Sequence, residues 1–318
     1  MSPKLAQRFR LATDPTSWRA SLTDARWRRD GSCAQPSTRA TTAQCTTVYW
    51  PTRYQHPNAA PFGRPIRDGL GAIAKLVAME IDQPYEGIII FAVDIDGDLK
   101  RVAIDYFDFT FVHKRCASEV DTYFKLQYLP QGYPDSPNVL AGGYVTSSSF
   151  LYTYWCRLRA LRDKRSPSAD VFARFGLRYS TEIRRAAINL LDSDPRIAYG
   201  GGTRPTRHSV YLREMATAKV CVDMPGQGPF CYRLVECLAM GCCIVGPRHK
   251  ASLPVSLSNG VEIIYCADDL SDLVDLCASY AQDEARRKPV EVAAAKYFDD
   301  HLHPIRIAER YLTIICDR

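Results

Sequence analysis

The stretch that decides the fold is Met224–Pro247, MPGQGPFCYRLVECLAMGCCIVGP. An apolar run, Lys219–Asp223 (KVCVD), leads into it, and Pro225–Gly228 form a turn. Pro229 suits the first helical position, where its missing N–H costs nothing. The helix is expected to reach about Met240, where Gly241 supplies a left-handed stop. Cys242–Val245 (CCIV) resumes an apolar strand. Backbone without side chains beside a helix N-terminus is an anion site, because unpaired N–H groups and the helix dipole point the same way. Glu236 lies seven residues beyond Pro229 and on the same face. The axial offset is about 10 Å at 1.5 Å per residue. Its side chain leans back towards the N-terminus, so a diphosphate at the turn leaves a carboxylate within reach of an attached ribose.

The same alternation continues on both sides. Asp170–Phe175 reads as a strand and Thr181–Leu191 as a helix with Thr181 at its N-cap. Arg196–Tyr199 reads as a strand edge, Gly200–Gly202 as a flexible turn and His208–Ala218 as a helix. Downstream come a strand at Val261–Tyr265, a helix capped by Asp268 or Asp269, and helices at Glu284–Asp299 and Pro304–Ile315. Helices alternating with apolar strands imply a parallel sheet covered on both faces, with ligands at the C-terminal strand ends. Upstream, Gly69–Ile81 has helical spacing and Gly87–Val93 reads as a buried strand. Asp96-Gly97 is a hairpin turn, Arg101–Tyr106 the returning strand, Asp121–Tyr128 an aromatic strand and Phe150–Lys164 a helix. Residues 1–58 are rich in Ser, Thr, Arg, Gln and Pro and read as poorly ordered or peripheral, with room for a short helix around Ser17–Arg29 and a loop between Ser32 and Thr47. The expected division is 1–58, a first lobe at 59–165, and a second lobe at 166–318 that begins near Ser166–Ser168.

Several residues of the second lobe carry a resemblance. Tyr211-Leu212-Arg213-Glu214, Val220–Asp223, Pro225-Gly226, Arg233, Glu236, Ala239, Gly241 and the following CIVGP stand in an order that resembles the nucleotide-sugar-binding half of GT-B glycosyltransferases. The pattern is most similar to the bacterial group 1 proteins with spore-protein CgeB-like domains, and more faintly to exostosin-type enzymes. The resemblance implies an α/β fold of two facing Rossmann-like lobes, with a reduced first lobe and a more regular second one. It implies that Glu236 contacts the donor ribose and that the last helix packs across to the first lobe. Retaining group 4 enzymes carry a second glutamate eight positions earlier; here that position is Gly228, which speaks against a retaining mechanism.

Composition sets outer bounds. The chain has 318 residues, 46% hydrophobic and 24% charged, as in a globular protein. No apolar run approaches the length of a membrane span. The polar, Arg-rich start lacks a secretory signal, so a cytoplasmic location is expected. Twelve cysteines sit mostly in apolar segments without zinc spacing, and read as small buried hydrophobes in a reducing compartment. The net charge of +6 suits an anionic ligand or weak nucleic-acid contact. The basic stretches Arg26–Arg29 and Arg157–Arg165 read as solvated surface. P-loop, GxGxxG and Ser nucleophile-elbow signatures are missing from the sequence.

The expected donor site comprises Arg174, Arg178, Tyr179, Pro225, Gly226, Gln227, Gly228, Phe230, Arg233 and Glu236. Amides near Gly226–Phe230 and the arginines would stabilise a diphosphate leaving group. Tyr179 would stack on the base, and Arg233 would pair with Glu236 or grip the diphosphate. His249 and Lys250 follow a strand beside the cleft and could touch phosphate or sugar; His301 and His303 read as structural. Transfer with inversion needs a general base, which the family takes from the first lobe. Asp105, Asp108 and His113 qualify, and the sequence does not choose among them. Lys125, in DTYFKLQY, would neutralise phosphate or position the acceptor. No cofactor and no metal are expected beyond a nucleotide-sugar co-substrate, since amides and arginines can replace a cation. The acceptor is a glycan, a small molecule or, less favoured, nucleic acid. Two alternatives stand. Asp94 and Asp96 could form the metal-diphosphate motif of a GT-A-type transferase, or the chain could be a degenerate GT-B scaffold that binds without turnover.

Overall fold

A computed structural model describes residues 15–38, 46–164 and 167–318. Residues 1–14, the middle of the expected Ser32–Thr47 loop, and Arg165 and Ser166 at the expected boundary lie outside them. The chain forms two α/β lobes. The first contains β1 (Thr46–Pro51), α2 (Ala60–Ile73), β2 (Lys75–Met79), β3 (Ile88–Ile95), β4 (Asp98–Asp105), α3 (Lys114–Ser118), β5 (Thr122–Lys125) and β6 (Val139–Ala141); α1 (Pro15–Arg29) precedes it. Its six-stranded sheet is mixed, in the order β2-β1-β3-β4-β5-β6, with β3 antiparallel to both β1 and β4. The second lobe contains β7 (Ala169–Arg174), α5 (Thr181–Ser193), β8 (Tyr199–Gly202), α6 (His208–Ala216), β9 (Ala218–Val222), α7 (Tyr232–Met240), β10 (Cys243–Pro247), β11 (Ile264–Cys266), α8 (Leu273–Gln282) and α9 (Glu284–Tyr297). Its five strands are all parallel, in the order β11-β10-β9-β7-β8. This is the GT-B-like pair of lobes expected, with the more regular sheet in the second.

Strand alternation builds the second core. Val171, Val220, Val222, Cys243 and Val245 face one side, with Ala187 and Leu191 of α5 and Leu273 and Cys277 of α8. Phe172, Cys221 and Ile244 face the other, against α6 and α7. Both faces are dry, as a parallel sheet requires. The first sheet's inner face, with Val48, Trp50, Phe91 and Ile104, joins the same core as α6 and α7, so apolar packing is continuous between the lobes.

Four readings need correction. Residues 46–51 are a central strand: TTVYWP alternates over too few residues to stand out, yet Val48 and Trp50 are buried. The helix read at Gly69–Ile81 lies at 60–73, and Lys75–Met79 pairs parallel with β1. Gly200–Gly202 extend β8 along the edge of β7. Cys33 and Cys156 form a disulfide, joining the segment after α1 to α4 (Ser149–Lys164), whereas Cys221, Cys237, Cys242, Cys243, Cys266 and Cys277 are free and buried as expected, and Cys231 is free and half-buried.

The basic face of α4 is also no solvated surface. Arg159 bonds Asp299 and the carbonyls of Ala239 and Ala295, and Arg162 bonds Glu291 and the carbonyls of Ala218 and Lys219. These guanidinium forks close carbonyls at strand and helix ends that would otherwise be left unpaired. After α9 a π-helical turn, Phe298–Leu302, leads into α10 (Pro304–Cys316), which returns to the first lobe. There Tyr311 stacks on Phe124 at 3.7 Å and donates to the Gly142 carbonyl at 2.8 Å.

Candidate functional site

The glycine-rich turn leaves the C-terminal end of β9, as read from the sequence, but the helix starts later than expected. Its N-cap is Cys231, and Pro229 lies outside it. Gln127, just beyond β5 in the first lobe, holds the Phe230 backbone from both sides: its Oε1 accepts from Phe230 N at 3.0 Å and its Nε2 donates to Phe230 O at 3.1 Å. That clamp holds residue 230 outside the helix, and the N-cap Cys231 is extended. Glu236 is therefore only four residues from the first helical residue, about 6 Å along the axis. At the other end Gly241 takes φ 65° and stops the helix as expected.

Second-lobe side chains shape the rest of the turn. The buried Arg184 donates to the carbonyls of Pro225 (2.9 Å) and Gly176 (2.6 Å), and Ser180 Oγ donates to Gly226 O at 2.7 Å. The Gly226 amide closes onto Gly228 O. With its carbonyls held from behind, the turn borders a cavity of about 310 Å³ that is also lined by Asp223, Arg248, His249 and Lys250. Asp223 forms the buried floor, accepting from His249 Nε2 at 3.1 Å and facing Arg233 Nη1 at 3.5 Å. The exposed Arg248 and Lys250 stand at the rim. Gly228 presses on the first lobe. A Cβ there would lie 2.1 Å from Asp108 O, so the position has no room for the glutamate of the retaining pattern.

On the first-lobe side of the turn is a cleft of about 410 Å³. Tyr106–Phe109, Phe62 and Tyr144 enter it from the first lobe, and Arg178, Tyr179, Gln227 and Tyr232 from the second. A buried ion pair fixes the 106–111 loop: Lys125 Nζ lies 2.9 Å from Asp105 Oδ2, which also accepts from Tyr123 Oη at 2.6 Å. Asp105 Oδ1 takes the Phe107 amide at 2.8 Å, and Lys125 donates to Phe107 O at 3.2 Å. Asp108 then turns into the cleft, half-buried; burial raises its pKa, and the Lys125 charge opposes that rise.

The expected residues thus separate. Asp108, Arg178, Tyr179 and Gln227 meet in the cleft, while Pro225, Gly226 and Gly228 border the adjoining cavity. Asp105 and Lys125 lie beneath the loop as its anchor. His113 caps α3, accepting from Cys116 N at 3.2 Å, and packs on Tyr85. Arg174 pairs with Glu214 at 2.9 Å. Arg233 donates to Arg174 O at 3.1 Å and stacks on Phe175; it does not pair with Glu236. Glu236 is buried against His208, Oε1 to Nε2 2.8 Å, and His208 Nδ1 reaches Ser148 Oγ at 3.2 Å. Asp94 and Asp96 sit at the tip of the β3–β4 hairpin, where Gly97 N donates to Asp94 Oδ1. In the register, the cleft lies at the other end, Ile88 opposite Asp105, about 23 Å away at 3.3 Å per residue. The Asp94/Asp96 pair that the GT-A alternative requires therefore lies away from the cleft. Sequence reasoning missed Gln127, Arg184 and Asp223. Only Asp223, a charge ending an apolar strand, left a local signal.

No family model matches the chain, and no curated protein matches it. Among solved structures, Anabaena Alr3699/HepE in complex with UDP and glucose is similar at 15% identity, with 46% of this chain covering 39% of that one and a TM-score of 0.33. The same protein with UDP-glucose matches at 12% identity over 59% of each chain, TM-score 0.36. A glycosyltransferase from Rickettsia africae ESF-5 matches at 10% identity over 67% of this chain and 69% of that one, TM-score 0.42. The chain spans well under two thirds of HepE, and these are distant likenesses of architecture.

Proposed function

We propose that this protein transfers a sugar from a nucleotide-diphosphate-sugar donor to an acceptor hydroxyl without a metal ion. The observation that carries this reading is the meeting of two spaces at one glycine-rich turn. One is a cavity at the C-terminal ends of β9 and β10 lined by Arg248 and Lys250 with Asp268 beside them; the other is an inter-lobe cleft holding a carboxylate of raised pKa. In this reading the diphosphate lies against Gln227 and Gly228 backbone, with Lys250, Arg248 and Arg178 opposing its charge as the bond to the sugar breaks. Asp108 takes the proton of the attacking hydroxyl; partial burial makes it a better base than an ordinary aspartate. Glu236, buried against His208 and lining neither space, would meet a ribose only after the His208 side chain moved aside.

Calorimetric titration with UDP, GDP, CDP and ADP, with and without manganese, tests this on wild type, Lys250→Ala and Glu236→Ala. Binding without metal that weakens in both variants is the expected result. Activity lost in a chelator and restored by manganese would contradict the metal-free mechanism. A second reading, a scaffold without turnover, draws on the Gln127 clamp, which occupies the Phe230 amide next to α7. Nucleotide binding without sugar transfer to any acceptor would favour it.

A further inference from the structure

The first-lobe loop carries three phenylalanines at alternate positions, Phe107, Phe109 and Phe111, with Asp108 between the first two. In a core such residues would be hidden. Here Phe109 is 40% and Phe111 60% exposed. They stack on each other at 5.6 Å with an interplanar angle of 13°, and Phe107 lies within 5.4 Å of both. Exposed aromatic clusters on a rigid support mark recognition surfaces. The support is firm: the buried Asp105–Lys125 pair fixes the loop's start, and Tyr133 Oη donates to Thr110 O.

The strip has a direction. Phe107 and Phe109 line the cleft, while Phe111 continues from Phe109 outside its lining. Within the cleft, carboxylates of Asp108 and Glu86 alternate with aromatic faces. A lipid tail would gain from the rings and lose at the carboxylates, which would be desolvated without partners. A sugar ring fits both. Its axial C–H face is apolar and weakly positive, which suits the negative face of an aromatic ring, and its rim of hydroxyls can donate to carboxylates.

We propose that the acceptor is a saccharide chain, not a lone hydroxyl compound or a lipid. Its terminal ring lies over Phe109 with the reacting hydroxyl at Asp108, and its next ring lies over Phe111. This rests on the transferase reading. In the transfer the acceptor O–H loses its proton to the Asp108 carboxylate, the acceptor oxygen bonds to the anomeric carbon, and the bond from that carbon to the diphosphate oxygen breaks, its electron pair leaving with the nucleotide.

Saturation-transfer NMR and calorimetry test it with methyl β-glucoside, methyl β-galactoside, cellobiose, lactose and, as the lipid probe, decyl phosphate. The samples are wild type, Phe109→Ala, Phe111→Ala and Phe109→Trp, with the four nucleotides titrated alongside. Disaccharide binding should weaken about tenfold in Phe109→Ala, a loss of the order of one aromatic contact. Phe111→Ala should affect disaccharides more than the monosaccharide glycosides, and Phe109→Trp should retain binding. Nucleotide affinity should be unchanged in all three variants. Absence of saccharide binding by wild type, indifference to Phe109→Ala, or a preference for decyl phosphate each overturns the proposal. Nucleotide binding without saccharide binding sinks the acceptor assignment and leaves the donor reading standing; saccharide binding without nucleotide binding sinks the transferase reading and with it the acceptor role, leaving a saccharide-binding site.

Discussion

At the scale of single residues, the candidates divide by whether they line the cleft or hold the loop that does. Lys125 and Asp105 have the charge and the strand-end placement of catalytic residues, but Lys125 is fully buried against its partner. Removing one member of such a pair strands the other. Lys125→Met should cost about 3–5 kcal/mol in urea unfolding, and adding Asp105→Asn should recover much of that. His303 is a second case. Burial, opposed by the Asp299 charge and reinforced by Arg306 and Arg159, pushes its pKa down to about 4, so it is neutral in the fold. The unfolded chain binds its proton near pH 6.5 and the folded chain only near 4. Stability should therefore fall as pH drops through this window, by up to about 3 kcal/mol at 1.36 kcal/mol per unit. His303 Nδ1 also accepts from Ile305 N at 3.3 Å. His303→Asn keeps an acceptor there and should flatten this part of the pH–stability curve; an unchanged slope would remove His303 as its source.

At the scale of elements, α7 and α10 show tertiary contact deciding what local signals leave open. Pro229 favours a helix start, yet the Gln127 clamp holds the Phe230 backbone, and the helix waits until Tyr232. α10 has a Pro start and a capping His303 readable in the sequence, but its position depends on close approach to α2. A Cβ on Gly69 would lie 2.4 Å from the Pro304 carbonyl oxygen. Gly69→Ala should thus push the two helices apart and destabilise by about 1–3 kcal/mol. Hydrogen exchange read by mass spectrometry should show faster exchange at 304–316 before other core segments; uniform protection there would refute the contact's importance.

At the scale of the whole molecule, the site exists only because two lobes meet. Asp108 belongs to the first lobe and Gln227 to the second, and Gly228 touches the Asp108 carbonyl. If Asp108 is the base, Asp108→Asn should lower kcat/KM by about 10²–10⁴. In wild type, activity should be lost as pH falls through the Asp108 pKa, which burial sets above the ordinary aspartate value. That acid limb should vanish from the Asn variant's profile, and its survival would assign the base elsewhere. The disulfide between Cys33 and Cys156 and the ion pairs of Asp24 with Arg207 and Arg213 tie the N-terminal segment to α4 and α6. The whole-molecule boundary is thus less sharp than composition suggested.

The sequence by itself determined the second lobe. Val220–Val222 and Cys243–Val245 are apolar runs and Gly241 could end α7 at no steric cost, so there local chemistry and fold agree; the start of α7 and the glycine strand β8 carried no such local signal. The residues that line the cleft, Asp108 after β4, Arg178 and Tyr179 after β7 and Gln227 after β9, all follow strand ends, which is why they were legible as candidates. The sequence did not separate Asp108 from Asp105 or His113, nor find Gln127 and Arg184. Those distinctions depend on which side chain points into a cleft and which into a core, and on partners such as Gln127 and Phe230 that lie 103 residues apart. Only packing the two lobes together brings such groups within hydrogen-bond distance, and only then do burial and charge give each its role.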